Sequence, residues 1–204
     1  VLGHQASLYD IAHRWSEAED AYKSLADYQR LKGHPDLAQT LVTLGAVYQV
    51  QSEGDKAQSA YREAQRIFVE QGKAEEARQT LSRLARMLLT VGRFEEAEKV
   101  YSEILAGDAG QQVARANRAY CLEKLGREPE ALQEYESLLA ANPNPDTRES
   151  LQDQRIRLLY RTGAKQRALE LLAQFPDPRK RARLLQDLGE MTLAVQTLES
   201  LRAQ

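Results

Sequence analysis

The sequence predicts an all-α protein, a solenoid of about six stacked helical hairpins. Three observations lead there. Leu, Ala, Glu, Gln and Arg dominate the 204 residues and aromatic residues make up only 6%, a balance that favours helix by intrinsic propensity. One short phrase of residue types recurs at roughly the spacing of a helical hairpin. Clusters of Gly, Pro, Asn and Asp fall between the copies, where helices must end.

The phrase is plainest at Gly92-Arg93-Phe94-Glu95-Glu96-Ala97, followed by Tyr101 and Ile104-Leu105: a turn glycine, a small Ala, then apolar residues at helical spacing. It returns at Gly126 to Ala131 with Tyr135 and Leu138-Leu139, and at Gly163 to Ala168 with Leu172 and Phe175. A further copy runs from Gly189 to Ala194 with Leu198 and Leu201. Upstream, Ala57 with Tyr61 and Ala64, and Ala18 with Tyr22 and Leu25, continue the series with the turn glycine displaced or replaced. The anchor alanines 18, 57, 97, 131, 168 and 194 are spaced by 39, 40, 34, 37 and 26 residues, a loose period.

Each turn is preceded by a helix with an apolar face, because residues three and four apart share one side of a helix. Leu41, Leu44, Gly45 and Tyr48 form that face in the second copy. Leu81, Leu84, Ala85 and Leu88 form it in the third, and Ala116, Ala119 and Leu122 in the fourth. The expected copies span residues 1–33, 36–72, 74–108, 111–143, 147–176 and 177–204, read as one repeat domain, 1–204. The 26-residue final spacing leaves the sixth copy a short first helix. A lone hairpin cannot bury its apolar face, so the copies must stack.

Leu44-Gly45 with Tyr48, Ala57, Tyr61 and Ala64 resembles the Leu-Gly, Tyr, Ala, aromatic, Ala phrase of the tetratricopeptide repeat family. The resemblance extends over nearly the whole chain. It departs from the family in lacking the first-helix Trp and in placing a Pro after the second helix only at Pro143. What it implies is a right-handed superhelical solenoid in which the first helices of successive hairpins line a concave, partner-binding surface. The implied activity is a protein-binding scaffold or sensor, not an enzyme.

On that reading the outward positions of the first helices face a partner. They are Gln49 in the second copy, Arg83 and Arg86 in the third, and Asn117, Tyr120 and Lys124 in the fourth. Gln154, Arg157 and Arg161 follow in the fifth, and Arg183 in the sixth. The set is a basic stripe. Planar guanidinium groups bind carboxylates and phosphates bidentately, so the expected partner is an acidic protein or peptide, with Arg157 the central contact. The competing account is a solvated face neutralised by nearby acids such as Glu123, Asp153 and Asp187. The family's terminal-carboxylate clamp of Lys, Asn, Asn, Lys and Arg is matched only at Asn117; Ser82, Arg86, Ser150 and Gln154 stand where its other members belong.

Other chemistry has little support. Basic and acidic residues number 28 and 30, so net charge gives no pull toward nucleic acid or membrane. No apolar run approaches the ~20 residues of a membrane span. His4, His13 and His34 are scattered without metal-ligand spacing, and no phosphate loop or nucleophile elbow occurs, so no cofactor or metal is expected. Cys121, the single cysteine, sits beside core positions and is expected to be a buried thiol; a reducing compartment, the cytoplasm by default, fits it. Trp15 fills a packing position. Leu198 and Leu201 have no polar helix to cover them, which suggests self-association through the C-terminal repeat or a segment cut from a longer regulatory protein; the opening Val1 suggests the second of these.

Overall fold

The computed structural model describes Ala6 and residues 13–108, 110–141, 143–175 and 177–202. Among these residues all regular structure is helical, in agreement with the expected all-α class. The helices are α1 (Trp15–Lys32), α2 (Leu37–Val50), α3 (Gly54–Glu70), α4 (Ala74–Thr90), α5 (Phe94–Gly107) and α6 (Gln112–Lys124). They continue as α7 (Glu128–Ala140), α8 (Pro145–Arg161), α9 (Lys165–Ala173), α10 (Pro178–Asp187) and α11 (Met191–Arg202). Each pair α2/α3, α4/α5, α6/α7, α8/α9 and α10/α11 corresponds to one expected copy, and α1 is the second helix of the first. That copy's expected first helix lies outside the described residues, apart from Ala6. The short first helix expected in the sixth copy is the 10-residue α10.

Every copy turns by the same device. Counting back five residues from each anchor alanine gives His13, Ser52, Gly92, Gly126, Gly163 and Gly189, and all six carry a positive φ, between 55° and 89°. Ser52 and His13 therefore take over the glycine's role, which resolves the missing turn glycine of the first two copies. The left-handed residue lets the chain reverse while the next N–H returns to the helix: Glu53 N–H donates to Tyr48 C=O at 2.9 Å, as Arg93 N–H does to Leu88 C=O at 2.9 Å. Elsewhere side-chain caps start the helices. The Asn144 carboxamide accepts from Thr147 N–H at 2.9 Å, and the Asp177 carboxylate accepts from Arg179 N–H at 2.8 Å.

The helices group into two compact units, Val1–Asn117 and Arg118–Gln204, with the division inside α6. In the first unit α1 to α5 pack each on the next. Their core is Tyr22, Leu41, Leu44, Tyr48, Ala57, Tyr61, Leu84, Leu88, Ala97 and Tyr101, all buried. Small residues in the first helices face tyrosines in the second: a Cβ built on Gly45 would lie 2.8 Å from the Tyr61 ring. Ala85 and Ala119 occupy the place of Gly45 in later copies, opposite Tyr101 and Tyr135. Where that place holds the larger Ile156, the opposing residue is Leu172, so volume is conserved across the helix pair.

In the same unit the second helices are joined by ion pairs. Lys56 of α3 approaches Glu19 of α1 at 3.7 Å, and Arg30 of α1 meets Glu63 of α3 at 3.0 Å. Arg62 of α3 meets Glu103 of α5 at 2.6 Å, and Arg93, which precedes α5, meets Asp55 of α3 at 2.7 Å.

The second unit has its own core of Ile156, Leu159, Ala168, Leu172, Phe175, Leu184, Leu185 and Ala194. The Tyr160 hydroxyl of α8 donates to Glu190, just ahead of α11, and Lys165 pairs with the same carboxylate at 2.5 Å. Cys121 is fully buried, as expected of a packing thiol. Trp15 is half-buried, its ring 5.2 Å from that of His13.

Candidate functional site

The expected partner-facing residues divide by unit. In the first, Gln49 near the end of α2 and Arg83 and Arg86 on α4 are all exposed, and Asn117 on α6 is half-buried. Arg83 and Arg86 stand one turn apart and form no ion pair among the described residues. Two guanidiniums at that spacing repel by a few tenths of a kcal/mol, about 0.2–0.5, a cost an external anion would remove.

Between them and Gln49 lies a residue that sequence reasoning assigned only to packing. The Tyr61 ring is buried, but its hydroxyl donates to the Gln49 side-chain carbonyl over a long 3.4 Å. Burial raises the phenol's pKa, while the charges of Arg83 and Arg86 act to lower it, so both guanidiniums are within electrostatic reach of this oxygen. Gln49 and Tyr61 are thus joined by a hydrogen bond across α2 and α3, with the charges of Arg83 and Arg86 on α4 felt at the same hydroxyl.

In the second unit two of the expected arginines, Arg157 and Arg161, are already partnered. Arg157 donates from Nε to Asp153 at 3.1 Å and from Nη2 to Asp187 at 2.8 Å. Partial burial works against its charge, but the hydrogen bonds to Asp187 and Asp153 outweigh that and its pKa rises. Arg161 donates to Glu123 at 3.0 Å, and the same carboxylate accepts the Tyr135 hydroxyl at 3.3 Å. Burial, with the Glu123 charge second, pushes the Tyr135 phenol well above its ordinary value.

A groove of about 430 Å³ between α8 and α10 brings Arg157 and Arg183 together with Lys180, Asp146, Glu149 and Asp187. Its charges are mixed, since Lys180 pairs with Glu149 at 2.5 Å as well as Arg157 with Asp187. Arg183 is exposed and forms no ion pair among the described residues. Gln154 is half-buried; Tyr120 is exposed, with the Lys124 ammonium 5.2 Å from its ring centroid, a cation–π distance. The expected basic residues are therefore not alike: local acids answer Arg157 and Arg161, whereas Arg83, Arg86 and Arg183 form no ion pair among the described residues.

The missed member, Tyr61, had one signal in the sequence. Position eight residues before the anchor is Gln49 in the second copy and Glu123 in the fourth, and the tyrosine four after the anchor recurs in both. Aligning the copies sets a neutral acceptor against a charged one at the same place.

Among the described residues no group of three His, Cys, Asp or Glu side chains could hold a metal ion, and no helix is long and apolar enough to cross a membrane.

Two sequence profiles described as tetratricopeptide repeat match the chain, over residues 36–109 and 88–152. No curated protein matches it. Among solved structures, the nearly identical TPR-like repeats assigned to a kinesin light chain of Podosopora anserina superpose with a TM-score of 0.64 at 19% identity. That match covers 85% of this chain and 91% of the other. MamA of strain AMB-1 gives a TM-score of 0.60 at 16% identity, covering 90% and 89%. YrrB, a TPR protein with an unusual peptide-binding site, gives 0.59 at 17% identity, covering 95% and 88%. At these identities the likeness establishes the fold.

Proposed function

Because the chain belongs to the tetratricopeptide repeat family, we propose that it is a protein-interaction module that holds an acidic segment of a partner against the exposed face of its first helices. The observation that carries this reading is the contrast between the arginines. Arg83 and Arg86 are exposed beside the Tyr61 hydroxyl with no counter-ion among the described residues, whereas Arg157 and Arg161 are held by carboxylates of the chain itself. The peptide-binding title of one structural neighbour is in keeping with it. Binding rather than catalysis is the role assigned, and a single buried cysteine suits a reducing compartment such as the cytoplasm.

The test is titration of a fluorescent, end-blocked hexaglutamate peptide at low salt, with hexaglutamine as control. Replacing both Arg83 and Arg86 by Ala should weaken binding at least about tenfold, since a charge-assisted hydrogen bond contributes ~1.5–3 kcal/mol. The Arg157→Ala, Arg161→Ala pair should change it little. No binding of hexaglutamate to the wild type, or equal loss in both double variants, overturns the reading. Tighter binding of duplex DNA than of the peptide would point instead to a nucleic-acid partner.

Self-association is a second reading with its own observation. Leu198 of α11 is 44% exposed, whereas Tyr61, at the same place in the second copy, is 2% exposed. Sedimentation showing a concentration-dependent mass that Leu198→Glu abolishes would support it.

A further inference from the structure

The two tyrosine sites place the tyrosine and its acceptor at equivalent positions in the repeat and differ in that acceptor and in where the arginines stand: Arg161 is seven residues before its anchor, Arg83 and Arg86 fourteen and eleven before theirs. In the second unit, Glu123 supplies a carboxylate that accepts the Tyr135 hydroxyl at 3.3 Å and the Arg161 guanidinium at 3.0 Å. In the first unit the place of Glu123 is taken by Gln49, the tyrosine is Tyr61, and the guanidiniums are those of Arg83 and Arg86. A neutral carboxamide stands where the fourth copy has an anion, so the donors around it keep their charge uncompensated. The 3.4 Å Tyr61–Gln49 contact is also at the long limit of a hydrogen bond, and so a weak hold on the hydroxyl.

We propose that Gln49, Tyr61, Arg83 and Arg86 form a subsite for one side-chain carboxylate of an acidic peptide, which docks between the Tyr61 hydroxyl and the two guanidiniums. This deepens, and rests on, the acidic-partner reading above. The Glu123 site displays the chemistry the subsite takes: a carboxylate holding a tyrosine hydroxyl on one oxygen and an arginine on the other. The Tyr61 phenol donates one hydrogen bond, the guanidiniums supply charge-assisted ones, and the Gln49 amide nitrogen can turn to donate as well. No proton moves: the ligand binds ionised. The buried Tyr61 ring, pinned against Gly45, fixes the hydroxyl in place before the ligand arrives, so little ordering is needed on binding.

The experiment converts Gln49 into the residue that fills the equivalent place in the fourth copy. Gln49→Glu supplies an internal carboxylate to the Tyr61 and arginine donors and should weaken binding of end-blocked hexaglutamate about tenfold or more. Gln49→Ala removes the carboxamide without adding a charge and should weaken binding less than Gln49→Glu does, because the arginines and the hydroxyl remain. Gln39→Glu adds the same charge to an exposed position elsewhere on α2 and should also leave binding within about twofold.

Tyr61→Phe keeps the packing, removes the hydroxyl and should weaken binding roughly threefold to tenfold. Circular dichroism establishes that each variant is folded; should Gln49→Glu not fold, Tyr61→Phe decides alone. Binding that depends on Arg83 and Arg86 but is unchanged by Gln49→Glu or by Tyr61→Phe overturns the subsite and leaves the acidic-partner reading standing. An equal loss in Gln39→Glu also overturns it, as an effect of net charge. Absence of any hexaglutamate binding to the wild type removes both.

Discussion

Gly45 and Tyr61 are in contact across the α2/α3 pair so closely that a single added carbon would lie 2.8 Å from the ring. Tyr61 is almost completely buried, so the ring has no free direction in which to retreat. Gly45→Ala should therefore destabilise the protein by ~1–3 kcal/mol despite the better helix propensity of Ala. Thermal denaturation followed by circular dichroism measures it. Adding Tyr61→Leu should recover part of the loss, because Ile156 and Leu172 show that a larger first-helix residue is accepted opposite a smaller partner.

Ser52 occupies the left-handed turn position that four other copies give to glycine. A side chain in that conformation costs roughly 1–2 kcal/mol, against the entropy that glycine adds to the unfolded chain. Ser52→Gly should accordingly raise stability by about 0.5–1 kcal/mol, read as a higher denaturation midpoint, while Gly92→Ala should lower it by a similar or larger amount. A lowered midpoint for Ser52→Gly would mean that the serine contributes through its side chain.

Arg157 is chelated by Asp153 and Asp187, all three being about two-fifths exposed, so each bond is partly screened by solvent. Arg157→Ala should lower stability by only ~1 kcal/mol and leave acidic-peptide binding unchanged. The same denaturation and titration measurements separate the two effects; a binding loss without a stability loss would reverse the assignment.

Glu190 is held below the ordinary glutamate value of 4.5 by hydrogen bonds from Lys165 and Tyr160, and Glu96 by those from Arg93 and then Gln58. A group whose pKa is lower in the folded state binds protons more readily unfolded. Its contribution is thus complete well above pH 4.5 and is lost as the pH falls below that value toward the folded pKa. The denaturation midpoint should therefore fall between pH 5 and pH 3, by less in Glu190→Gln than in the wild type, since that variant has one titrating group fewer.

The hairpin register was legible because packing imposes it locally: Ala18, Ala57, Ala97, Ala131, Ala168 and Ala194 are small wherever two helices cross, and all are buried. The turns at His13 and Ser52 were not, since the left-handed conformation is normally announced by glycine and here falls on a histidine and a serine. The candidate site was half legible. Arg83 and Arg86 could be placed on an outward helix face, but whether an arginine is already satisfied depends on residues far along the chain. Asp187 lies 30 residues after Arg157, and Glu123 lies 38 before Arg161. The hydroxyl of Tyr61 was hidden by the role of its ring, which is core at one end and site at the other.

The ion pairs between successive second helices in the first unit give each copy an address. Glu19 of the first copy finds Lys56, one residue before the anchor of the second; the third copy carries Glu96 at that place. Excising the second copy, anchor to anchor, would set Glu96 against Glu19, two carboxylates in the place of an attractive pair. Although the copies share one backbone plan, they could not be shuffled or dropped like identical bricks: sequence order is written into the charges on their flanks.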